Sequence, residues 1–206
     1  MADPKNVYYY EPNSIENNRA DLVEHRVKIF QGQAEPFEDP MDHLIWKALS
    51  NNLLGLAPRV KPLQETLESP GYPFLADTFV MCDTFASAIE SGNDGTKAKA
   101  DAVAGTTLAF AEYNTKEEGE LIIAEKINPL VLRLAAGADW DATRLAYSEI
   151  LERHGYNVLS CNTYSFTPEG GLSLEKDGSI FPREGPDRYV LLRAEKLAAP
   201  VGEESG

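Results

Sequence analysis

The apolar period of this chain changes at Tyr156, from about 3.6 residues to 2. Upstream, apolar residues recur at helical spacing. Downstream they alternate with polar ones over residues 157–166, 171–175, 179–181 and 188–193, with turn signals at 168–171 and at Lys176-Asp177-Gly178. Charge divides at the same place. The net −14 splits as −10 for residues 14–155, −1 for 156–196 and −3 for the two tails. The pattern predicts an α+β protein, mainly α. An antiparallel helical bundle of about five to six helices would carry a small C-terminal antiparallel β meander, too small to stand alone and so packed on it.

Within residues 14–155 the expected helices begin with 14–31, capped by Ser14. A second follows Asp39 as cap and Pro40 at the first helical position, and stops before Gly55. A third, about 73–91, carries the stripe Leu75, Phe79, Cys82, Ala86 and Ile89; a fourth, 96–113, repeats it with small residues, Ala98, Ala102, Gly105 and Ala109, then Glu112. Large facing small predicts that these two pack as an antiparallel hairpin. Helix is also expected over 120–127, from Asn128-Pro129 to Ala136, and from Asp139 or Asp141 to about Arg153, closed by His154-Gly155.

The expected organisation is an extended N-terminal arm at 1–13, one globular domain at 14–196 (helical body 14–155, meander 156–196), and a flexible acidic tail at 197–206. The N-terminal residues lack the basic and apolar regions of a signal peptide, and no stretch approaches the roughly 20 apolar residues of a membrane span. Two distant cysteines point to free thiols in a reducing compartment. The expectation is a soluble cytoplasmic protein without a membrane partner. Nucleic acid is also excluded as a partner, because phosphate contacts need clustered Lys and Arg.

Catalytic signatures are absent. The three histidines show no metal-ligand spacing beyond Asp39 and His43 at i, i+4, so no metal is expected, and no cofactor either. Cys82 sits in an apolar stripe and Cys161 beside Asn162, both read as inert thiols. Residues 92–97, Gly-Asn-Asp-Gly-Thr-Lys, read as an interhelical turn rather than a phosphate loop. Acidic neighbours are plentiful, among them Glu24, Asp39, Asp42, Asp77, Asp83, Glu117, Glu118 and Glu120; Glu112 stands out because it continues the small-residue stripe.

Three functions fit these features. The leading one is a non-enzymatic protein–protein interaction or assembly protein, with a protein partner or self-association through Tyr8, Tyr9 and Tyr10 on the arm. The alternative is a small-molecule-binding protein or enzyme, with a pocket between the helices and the meander near Phe110, Glu112 and Tyr113. The third is an acidic decoy of a nucleic-acid-binding protein.

Overall fold

Two short apolar runs decide the architecture. Residues 78–82 (TFVMC) and 121–124 (LIIA) are buried without interruption and lie side by side as parallel strands at the centre of one sheet. The computed structural model describes residues 5–10, 20–35, 39–50, 59–62, 75–83, 97–127, 140–167, 171–175 and 187–197. They form strands β1 (Asn6–Tyr10), β2 (Arg59–Pro62), β3 (Ala76–Cys82), β4 (Thr115–Lys126), β5 (Tyr156–Thr167), β6 (Gly171–Leu174) and β7 (Arg188–Lys196). The helices are α1 (Ala20–Phe30), α2 (Pro40–Ser50), α3 (Lys97–Tyr113) and α4 (Trp140–Arg153). Sheet order is β2-β1-β3-β4-β7-β5-β6. The first four strands are parallel; β7 is antiparallel to both β4 and β5, and β6 is antiparallel to β5.

Both faces of the sheet are covered. On one, Val23, Ile29 and Phe30 of α1 and Met41, Leu44 and Ile45 of α2 pack on Tyr9, Val80, Ile122 and Leu191. On the other, Leu108 and Ala111 of α3 and Tyr147 and Leu151 of α4 pack on Tyr8, Phe79, Ile123 and Val190. The molecule is a three-layer α/β structure. The predicted helical bundle is therefore corrected. Where the third helix was expected, the described residues are β3, and residues 120–126 are strand, so among the described residues there is no antiparallel hairpin of helices three and four.

The physical reason is double burial. A strand covered on both faces has no polar side, so its sequence is a continuous apolar run with no period of 2. The 75–89 spacing fits a helix only by coincidence. The arm is corrected on the same ground: Tyr8 and Tyr9 are buried in β1 and face opposite cores, Tyr8 toward α3 and α4, Tyr9 toward α1 and α2. Three consecutive tyrosines need no single face when both faces are interior.

Other expectations agree with the structure. Asp39 caps α2, its Oδ1 accepting the Met41 amide at 2.8 Å, and α4 closes at His154 with Gly155 at φ 79°. The downstream strands match β5, β6 and β7. α3 spans the expected helix with a different buried side: Leu108 and Ala111 are buried, whereas Ala109 and Glu112 are exposed. Gly105 admits the end of α4, since a Cβ there would lie 2.8 Å from His154 Cε1. The Ser14 cap, the 128–136 helix, the 92–96 turn, residues 179–181 and most of the tail lie outside the described residues. No helix among the described residues is long and apolar enough to cross a membrane.

Candidate functional site at the carboxyl edge

β1, β3 and β4 run in one direction, so Tyr10, Cys82 and Lys126 end at the same edge of the sheet. α1 and α2, which follow β1, lie on one face and lead to β2 on the outer side of β1. β3 lies on the inner side of β1, and the helices after it lie on the opposite face. The connections therefore diverge between β1 and β3. Such a switch point leaves a crevice beyond the carboxyl ends, where open α/β sheets take their ligands.

Asp83 stands at this crevice, the first residue past β3. Its φ is 47°, in the left-handed region that a residue with a Cβ enters at a cost of about 1 kcal/mol or more. Its amide donates to Ala124 O at 3.1 Å and its Oδ1 accepts the Lys126 amide at 3.2 Å, which pins the end of β3 to β4. Burial drives the carboxyl pKa up. The Lys126 amide and the Arg26 charge oppose that rise, and Asp39 adds to it.

Arg26 reaches the same region from α1 with its side chain almost wholly enclosed. Its Nε donates to Asp42 Oδ1 at 2.8 Å and Nη2 to Asp39 Oδ2 at 3.2 Å, with His25 Nε2 3.8 Å from the second Asp42 oxygen. Asp39 and Asp42 occupy the cap and first turn of α2, where the helix dipole favours carboxylates. Lys126 pairs with Asp187 at 2.7 Å across the mouth of β7. Burial pushes the Tyr189 hydroxyl up to about 12, with Asp187, Asp39 and Asp83 contributing. Those contributions place Tyr189 within reach of the same acidic group. On the other face, Glu125 is buried and accepts a hydrogen bond from the Tyr147 hydroxyl. Burial first, then Glu125, hold the Tyr147 pKa well above that of an ordinary tyrosine.

The residues singled out from sequence are distributed elsewhere. Phe110 packs with Tyr10 and Phe79 at ring separations of 5.0 and 5.9 Å. Glu112 is half-exposed and pairs with Lys196 at 3.0 Å. Tyr113 is 79% exposed, where α3 hands over to β4 at the amino edge. Neither Cys82 nor Cys161 is in a disulfide, and burial pushes the Cys161 thiol up to about 12. His43 faces the Phe166 ring, and no group of His, Cys, Asp and Glu among the described residues could hold a metal ion. Sequence reasoning passed over Arg26 and Glu125 and did not separate Asp83 from its acidic neighbours. The available signal was an apolar run ended by an acid, FVMC-Asp83 and LIIA-Glu125.

No protein-family model matches the chain. Two curated relatives are similar in sequence, both glutamine–fructose-6-phosphate aminotransferases (isomerizing). The Methanosarcina mazei enzyme is 30% identical over 137 residues, 61% of this chain and 22% of its own. That of Methanosarcina acetivorans is 26% identical over 163 residues, 74% of this chain and 25% of its own. The chain thus spans about a quarter of the length of the curated relatives it matches. Among solved structures it resembles a variant 16S rRNA (adenine(1408)-N(1))-methyltransferase from Catenulisporales acidiphilia with cosubstrate SAM. The TM-score is 0.45 at 13% identity, covering 96% of this chain and 88% of that one. A putative methyltransferase from Thermoplasma acidophilum gives 0.38 at 9% identity, covering 97% and 71%. At these scores the likeness assigns no activity to this chain.

The assembly reading is corrected here. Its supports were an acidic helical body and a tyrosine arm, and the structure replaces both with a sheet in which Tyr8 and Tyr9 are interior. The decoy reading goes with it, because Asp42 is buried against Arg26 rather than lining an outer helix face.

Proposed function

We propose that this chain is a small-molecule-binding protein of the enzyme type, taking its ligand in the crevice between β1 and β3. The observation that carries this reading is Asp83, held in a left-handed conformation and against its own desolvation at the switch point of the sheet. Strain of this kind persists where surrounding structure enforces it, and it concentrates at functional sites. The carboxylates of Asp83, Asp39 and Asp187 suit a ligand rich in hydrogen-bond donors, cationic or hydroxylated. They do not suit a phosphate. No glycine occurs between Tyr10 and Gly32, so the sequence after β1 lacks the residues that let backbone approach a pyrophosphate.

S-adenosylmethionine, the cosubstrate present in one of the resembling structures, has the required chemistry: an ammonium, a sulfonium and ribose hydroxyls. Fructose 6-phosphate and glutamine, named for the curated relatives, supply the contrast. We place the protein in the cytoplasm, in keeping with two cysteines outside any disulfide.

Thermal unfolding with S-adenosylmethionine, S-adenosylhomocysteine, adenosine, glutamine and fructose 6-phosphate tests the reading. A ligand at a hundred times its Kd stabilises by about 2.7 kcal/mol, which raises Tm by about 5 °C or more in a chain of this size. The expected result is a rise with a non-phosphorylated, donor-rich compound that disappears in Asp83→Asn. A rise of equal size in the variant, or none with any compound, would sink the proposal.

A further inference from the structure

We draw no further inference here: the strongest candidate, the surface at the β6 edge of the sheet, where Leu174 and, on the adjacent helix α2, Trp46 are exposed, carries none because nothing in the structure shows what covers it.

Discussion

Asp83 carries two costs in the folded chain, a left-handed backbone and a carboxylate driven out of water. Asparagine removes the second and keeps an oxygen to accept the Lys126 amide, and it tolerates positive φ as well as any side chain. Asp83→Asn should therefore raise stability at neutral pH, by about 1 kcal/mol as such replacements commonly do, while ligand binding falls. The sign follows from the direction of the shift. An acid whose folded pKa is raised costs nothing below its unfolded value of about 4, and its penalty grows as pH climbs through the folded one. Urea unfolding of both proteins from pH 3 to 8 should show the gap opening over that window. Cys161 makes a quieter residue-level case. With its thiol near 12, chiefly through burial, only about one molecule in ten thousand carries the thiolate at pH 8. Ellman's reagent should leave Cys161 unmodified in the native protein at pH 8 and react with it promptly in urea; fast native reaction would show that it is not enclosed by β5 and α4.

At the scale of elements, β3 is tied at its amino end to both neighbours through one side chain. Asp77 Oδ2 accepts the Asn6 amide of β1 at 2.7 Å, and Oδ1 accepts Lys116 Nζ of β4 at 2.5 Å. Burial works to raise this carboxyl. The bonds from Lys116 and the Asn6 amide, with the charges of Lys116 and Lys5, outweigh it and hold the pKa low. A depressed acid contributes stability above its unfolded value of about 3.9 and loses it as pH falls through the folded value. Asp77→Asn should cost about 1 kcal/mol at pH 7 and progressively less below pH 4, as chemical denaturation would measure. α3 and α4 meet at a second such point. Gly105→Ala should gain up to about 1 kcal/mol of helix propensity in a His154→Ala background, and clearly less against native His154, whose ring occupies the space. These elements also show what was legible beforehand. α2 with its Asp39 cap, α4 with its Gly155 stop, and β5 and β6 were readable because each keeps one polar face or carries explicit end signals. β1, β3 and the second half of β4 were not, because burial on both sides erases the period that distinguishes strand from helix. The site followed the strands: Asp83 and Glu125 become special only when two apolar runs are known to be parallel and to end at one edge.

For the whole molecule the decisive property is that tyrosine hydroxyls are enclosed on both faces of one sheet. Tyr147 and Tyr156 lie in the core under α3 and α4, Tyr164 and Tyr189 in the core under α1 and α2. Burial raises all four, Tyr189 to about 12, with neighbouring acids adding to the rise for Tyr147, Tyr156 and Tyr189. The unfolded chain ionises its tyrosines near pH 10, so between pH 10 and 12 it binds fewer protons than the folded one, and stability falls as pH rises. Each tyrosine that stays protonated contributes about 1.4 kcal/mol of loss per pH unit. Tyr147 should deliver that in full, and Tyr164 and Tyr189, nearer the edge and partly screened by solvent, should deliver less. Even two full contributions would consume about 5 kcal/mol by pH 12, comparable to the net stability of a small domain. The expected outcome is one steep alkaline transition in which the loss of sheet circular dichroism coincides with a step in tyrosinate absorbance at 295 nm. Because the two pairs occupy opposite faces, both cores should release their tyrosines together. Two separated steps in absorbance would mean that the α1–α2 layer opens independently of the sheet it covers.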